Sequence, residues 1–247
     1  MIYAIIQARM GSSRLPNKIF KKILGKPLLW HVVNRLRFSK KIDKIIIATT
    51  IEQIDNFVYN WCKKNNIDVF RGDEDNVLKR YYDTCVSLNL KDDDVVIRIT
   101  SDDPFKDPYL IDDMLTIMKK ENLDFIYNNK PVSYPEGLDV EIFKFSLLKN
   151  NIDLIIEDFD KEHITQYFYR MDNIKKKNFK NNVDLSHLRW TIDTKLDIKM
   201  VRKIYKNLYK EGDLFSMKDI LEYLEKNPNV YKINSEVKRS LMYGKNK

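Results

Sequence analysis

MIYAIIQARMGSSRLPNKIF, residues 1–20, decides the reading of the fold. A short apolar strand over residues 1–7 runs straight into a loop holding Gly11, Ser12 and Ser13 with the cations Arg9, Arg14 and Lys18. A strand that ends in a basic, glycine-containing loop suits anion binding, because backbone N–H groups and Arg or Lys side chains converge there. Taken alone, the same composition also suits a solvated basic loop. Its neighbours must arbitrate.

Outward from that stretch, helical and strand-like periodicities alternate. The pattern predicts a helix over residues 27–38 with proline at its start, a strand over 44–50 and a helix over 53–64. A strand over 68–71, a helix over 77–88, a strand over 94–100, a helix over 108–120 and a strand over 123–127 follow. This rhythm implies an α/β protein, a mainly parallel sheet with helices on both faces. Such sheets receive ligands beyond the carboxyl ends of their strands, at a switch in strand order. After residue 128 the pattern changes. Residues 130–143, with Pro131, Pro135 and Gly137, read as a loop entering an extended strand. A helix over 162–170, a strand over 187–193 and helices over 196–209 and 217–225 are expected. The simplest organisation is one domain over 1–247, with 129–182 as an inserted β arm for the acceptor or for oligomerisation.

Bulk properties narrow the function. The chain has 247 residues, 43% hydrophobic and 32% charged, enough for one large core. No run approaches the roughly eighteen apolar residues of a membrane helix, and the opening is charged too early for a signal peptide. A cytoplasmic protein without a membrane partner is therefore expected. Cys62 and Cys85 form no disulfide or metal spacing and read as buried thiols. The net charge of +8 raises nucleic acid as a partner. The cations are spread along the chain, however, and the densest run, residues 174–180, reads as a solvated loop. No nucleic-acid partner is expected. A non-catalytic basic protein would account for the charge but not for the acidic residues at strand ends.

Those acids lie in Arg98-Ile99-Thr100-Ser101-Asp102-Asp103-Pro104 and Arg189-Trp190-Thr191-Ile192-Asp193-Thr194. Each places a carboxylate after a predicted strand. An isolated Asp there is ordinarily a helix cap. Paired opposite a basic loop, Asp102 and Asp193 suit Mg²⁺, which takes few carboxylates and completes its shell with water and phosphate. G-x-G-x-x-G and Walker A patterns are absent, which disfavours dinucleotide and P-loop chemistry. Tyr81 and Tyr82, beside Arg80, suit either the border of a base or helix packing. His31 falls on an apolar helix face and reads as core.

IIQARMGSSRLPNKIF, GDEDNVLKRYYD, VIRITSDDPF, YPEGLDVEIF, EHITQYFY and RWTIDTKLDIKMVRKIY occur in this order. Over about residues 1–210 the chain thereby resembles the cytidylyltransferase-like family of the spore-coat polysaccharide type, related to the synthetases of CMP-KDO and CMP-sialic acids. The resemblance implies a Rossmann-like, three-layer nucleotide-diphospho-sugar transferase fold, CTP as nucleotide, Mg²⁺ as cofactor and a small sugar-like acceptor. It makes Arg14 and Lys18 triphosphate ligands and, with Asp102, catalytic. Ala8, Arg9, Gly11, Ser12, Ser13, Arg80 and Thr100 complete the nucleotide site, and Asp102 and Asp193 hold the metal. Tyr134, Asp139, Glu141 and His163 become acceptor-site candidates, and a homodimer is the expected assembly. Ser101 stands where the family has Gly, Asn17 replaces the Gly before Lys18, and Lys195 replaces a Pro. Direct displacement at the α-phosphate is implied, giving a CMP-linked product, or a CDP-linked one if the acceptor already carries phosphate.

Overall fold

The first strand, β1 (Ile2–Gln7), lies in the middle of the sheet because both of its faces are apolar. Successive side chains of a strand point to opposite sides. Ala4 and Ile6 therefore join one core, and Tyr3 and Ile5 the other. A computed structural model describes residues 1–12 and 14–238. Ser13 and residues 239–247 lie outside that description.

Parallel pairing joins β1 to β4 (Lys44–Thr50) and β6 (Val95–Thr100), and β4 to β5 (Asp68–Gly72). The register sets Gln7 opposite both Ala48 and Thr100. Strands β1 and β6 thus end level, β4 runs on to Thr50, and their loops open on one edge. A small hairpin, β2 (Lys22–Ile23) and β3 (Lys26–Pro27), follows the first loop and turns at Leu24-Gly25, where φ is positive at both residues. It leads into α1 (Leu28–Leu36), with Pro27 just before the helix rather than within it.

Among the described residues the sheet has seven strands, ordered β5-β4-β1-β6-β8-β7-β9. Here β7 is Phe125–Tyr127, β8 is Glu141–Lys144 and β9 is Lys176–Asn178. Only β8 runs against its neighbours. The chain works outward from β1 to β4 and β5, then returns to place β6 on the other side of β1. The switch in strand order is therefore between β1 and β6, where an α/β sheet holds its ligand.

Helices cover both faces. Helices α1, α2 (Asn56–Lys64), α4 (Pro108–Glu121), α8 (Lys195–Leu208), α9 (Met217–Lys226) and the short α10 (Pro228–Tyr231) pack on one side. Helices α3 (Val77–Ser87), α5 (Phe145–Lys149) and α7 (Gln166–Arg170) pack on the other, and α6 (Asp158–His163) lies against α3. Each buried Leu, Ile or Val contributes about 1.5–3 kcal/mol to these cores. Both thiols are free and buried, as expected.

Several expectations are corrected. The helix expected over 162–170 is two helices, broken where Ile164 adopts φ 49°. Residues 187–193 make a single bridge, Glu136 with Arg189, and form no strand of the sheet. Within the basic run expected as a loop, Lys176–Asn178 adds the edge strand β9. Residues 129–182 supply β8 and β9 to the main sheet.

Candidate active site

The site grows out of the level strand ends. The loop after β1 stays close to the sheet because Ala8 N–H donates to the Ala48 carbonyl at 3.1 Å. Asp55, buried just after β4, accepts the Met10 N–H at 2.7 Å and also takes the Thr50 hydroxyl. Asp55 thus ties the loop to the neighbouring strand end. No motif in the sequence marks it.

Across from this loop, two carboxylates converge on one cation. Lys18 Nζ donates to Asp102 Oδ2 at 2.6 Å and to Asp193 Oδ1 at 2.8 Å. Arg14 Nη2 lies 3.0 Å from the same Asp193 oxygen. Burial pushes the Asp102 carboxyl up, but the Lys18 ammonium outweighs it and holds the group below the usual carboxylate range. Burial alone would lower the Lys18 pKa; Asp102 and Asp193 more than reverse it, keeping the ammonium charged. Two anionic oxygens around one compact positive centre fit a Mg²⁺ bound by few carboxylates. Among the described residues no cluster of three or more His, Cys, Asp or Glu could hold a metal without help, so substrate phosphate would have to complete the shell.

Asp193 is placed without a strand. The Ile192 N–H donates to the Asp102 carbonyl at 2.9 Å, which joins the two acidic segments directly. Thr194 and Asp197 form a capping box at the start of α8. Asp197 also accepts the Asp193 N–H at 3.0 Å. Arg189 reaches Asp193 at 2.9 Å, Asp197 at 3.0 Å and Glu136 at 2.7 Å, so one guanidinium braces all three acids. Gly137 lets the 134–139 turn lie against this segment. It has φ +104°, and a Cβ there would meet Thr191 N at 2.8 Å and Trp190 C at 2.9 Å.

A cavity of about 370 Å³ opens at this edge. Ala8, Arg9, Gly11, Ser12, Arg14 and Lys18 line one side, and Arg80, Thr100, Asp102, Asp193 and His163 the other. Ser13 falls outside the described residues. Arg9 is exposed and faces Glu74 at 3.6 Å. Arg80, by contrast, is buried and donates to the carbonyls of Asp73 and Glu74, so it fixes the loop before α3 as well as closing the cavity. Packing explains Tyr81, whose hydroxyl donates to the Ile5 carbonyl at 2.9 Å, and Tyr82, stacked on Phe145.

A smaller cavity of about 80 Å³ adjoins the first, sharing Arg98, Thr100 and His163 and adding Asp139, Glu141, Asp103 and Gln166. Three of the four acceptor candidates thus gather here. Tyr134 does not: it is buried in the core and lines a separate groove with Asp107 and Phe179. Burial lowers the His163 pKa and Arg98 adds to the shift; Glu162 opposes it without reversing it. The imidazole is accordingly neutral at pH 7. Lys106, wholly buried, pairs with Asp103 at 2.9 Å and donates to the Asp139 carbonyl, which shapes the cavity floor.

The model of the cytidylyltransferase family matches residues 3–242. The chain belongs to this family. It is 31% identical to the spore coat polysaccharide biosynthesis protein SpsF of Bacillus subtilis, over 92% of this chain and 95% of that one. An 8-amino-3,8-dideoxy-manno-octulosonate cytidylyltransferase of Shewanella frigidimarina is 33% identical over 49% of each chain. Among solved structures, a cytidylyltransferase from Leptospira borgpetersenii superposes with a TM-score of 0.86 at 31% identity, covering 93% of this chain and 96% of that one. This cytidylyltransferase is therefore a nucleotidyltransferase enzyme with the expected Rossmann-like fold. Among its described residues no helix is long and apolar enough to cross a membrane.

Proposed function

We propose that this cytidylyltransferase transfers CMP from CTP to a sugar or sugar-like acid used in surface glycan synthesis, releasing pyrophosphate with Mg²⁺ as cofactor. One observation carries the reading: Asp102 and Asp193 meet at Lys18 beside Arg14, at the switch in strand order. Relatives that activate an octulosonate or serve polysaccharide synthesis support the acceptor class.

The triphosphate lies along the 8–18 loop, with Arg14 and Lys18 against its phosphate oxygens. Asp102 and Asp193 would hold the metal, whose charge would offset that of the phosphates. Most of the rate then comes from positioning and charge stabilisation. The acceptor hydroxyl oxygen forms a bond to the α-phosphorus as the α–β phosphoanhydride bond breaks and pyrophosphate leaves. Its proton passes to the neutral His163 imidazole, at the border of the two cavities.

A phosphorylated acceptor, giving a CDP-linked product, is less well served. Asp103, Asp139 and Glu141 line the smaller cavity with one arginine. The deciding experiment measures pyrophosphate release from each of the four nucleoside triphosphates, with Mg²⁺, against sugar acids and phosphorylated polyols. CTP-selective release that needs a sugar acid is expected. Release with no nucleotide, and no CTP binding, would sink the proposal.

A further inference from the structure

We infer that Arg98 receives the acceptor's carboxylate and that Glu141 holds Arg98 in position, an inference that rests on the transfer reaction proposed above. Arg98 lies on β6, two residues before Thr100 and so on the same face. Its side chain is 13% exposed and lines both cavities.

The guanidinium is set from behind. The β6–β8 register places Glu141 directly opposite Arg98, and Arg98 Nη1 donates to Glu141 Oε2 at 2.5 Å. The other carboxylate oxygen accepts from Thr165 Oγ1 and Tyr169 OH, each at 2.7 Å, and from Asn129 Nδ2 at 3.4 Å. Burial pushes the Glu141 carboxyl up, but Arg98 and these donors outweigh it and hold it ionised, below the usual range. Glu141 is thus fully engaged and has no role left as a direct acceptor ligand. It is a positioning residue. A planar guanidinium braced this way presents a fixed direction to a carboxylate.

The surrounding charges fix where an acid group can go. Within the smaller cavity Glu141 is paired with Arg98 and Asp103 with the buried Lys106, Asp139 adds a further carboxyl group, and the buried His163 is neutral. Arg98 is the cation among that cavity's lining residues, and it sits on the border with the nucleotide cavity. In a 2-keto sugar acid the carboxylate is bonded to the anomeric carbon, which also bears the reacting hydroxyl. Its charge therefore belongs at that border, with the polyhydroxy tail donating to the acids beyond.

The test compares wild type with Arg98→Gln and with Arg98→Gln/Glu141→Gln. The double variant removes both charges of the pair and keeps hydrogen-bonding groups, which guards against misfolding. Calorimetric CTP binding with Mg²⁺ is measured first, and both variants are expected to bind as wild type does within about threefold. Binding at that level also certifies that a variant is folded. Turnover is then measured on 2-keto-3-deoxy sugar acids and on the carboxamide of each. Wild type is expected to favour the acid through KM by about tenfold to a hundredfold, the scale of a charged hydrogen bond. The variants are expected to lose that preference while kcat on the carboxamide persists. An acid preference that survives in the double variant overturns the inference, as does a wild-type preference for neutral or phosphorylated acceptors. So does a loss of CTP affinity as large as the loss for the acid. Failure of the wild type to bind CTP at all would instead remove the transfer reading, and this inference with it.

Discussion

The proposed nucleotide end and the proposed acceptor end of the cavity hold their outermost and innermost charges differently. At the proposed nucleotide end, the outer cations Arg9 and Arg14 are 42% and 50% exposed and sit on a loop with single carboxylate contacts, around the more deeply set Lys18. At the acceptor end, Glu141 is 3% exposed and its two oxygens are shared among Arg98, Thr165, Tyr169 and Asn129. A multiply charged nucleotide arriving from water is met well by exposed cations that exchange partners. Discrimination among acceptors needs groups oriented before the ligand arrives.

The contrast predicts that damage at the acceptor end falls on stability. Glu141→Ala breaks the ion pair with Arg98 and removes the shared acceptor of Thr165 and Tyr169, and should cost about 3–5 kcal/mol in chemical denaturation. A loss under about 1 kcal/mol would break the comparison. The scaffold gives a control of similar size. His31 donates from Nε2 to the Ile23 carbonyl, and burial depresses its pKa to about 4. The unfolded chain binds that proton near 6.5, so stability is complete above 6.5 and falls as pH drops towards 4, by about 3 kcal/mol. Glu141, held below its ordinary value of 4.5, keeps its contribution above that value and loses it only as pH falls further. His31→Phe should therefore flatten the stability profile between pH 6.5 and 4. A profile that kept its slope would place the acid sensitivity elsewhere.

Asp102→Asn should leave folding nearly intact and lower kcat about a hundredfold or more, worth about 2.7 kcal/mol. Chelation of divalent cations from wild type should reproduce that loss. Equal turnover of mutant and wild type would remove Asp102 from the chemistry. The smallest effect belongs to Arg9→Ala. Its exposed contact with Glu74 is expected to be worth under about 1 kcal/mol, so KM for CTP should rise by less than about fivefold with Tm unchanged. A shift in Tm would show that the two ends are less distinct than their burial suggests.

Most of residues 1–127 is legible in sequence because its main strands are short β-rich runs alternating with helices of clear periodicity; the β2–β3 hairpin, two residues to a strand, carries no such signal. Strand β4 falls on its expected bounds, and α3 and α4 lie within a residue of theirs. Beyond that point tertiary pairing overrides local pattern. Strand β9 sits in a lysine-rich run and exists through its register with β7. Residues 187–193 alternate like a strand, yet their partners are the backbone of Glu136 and Asp102, both in loops. Ile164 breaks a helix where no Gly or Pro announces it. Within the site, the cations of the first loop and the paired acids are legible from type and spacing. Arg98, Asp55 and Arg189 are not singled out, because each acts on or through a group distant in sequence or marked by no motif. Tyr134 shares the YPEGLD segment with Asp139 but lies on the other side of its turn.

The reversed direction of β8 has a bearing on how such an enzyme diversifies. A strand running with its neighbours would deliver its end to the ligand edge, and any change in the following loop would pull on the next helix. Strand β8 delivers its beginning, so Asp139, within the segment that leads into the strand, lines the proposed acceptor cavity. That segment is held at Asn128, which accepts the Val140 N–H at 2.7 Å and donates to the Leu138 carbonyl at 2.9 Å. Lengthening it between those clasps costs only the slow logarithmic penalty of loop closure. New acceptor preferences can therefore arise by insertion there, while the phosphate-handling edge keeps its register.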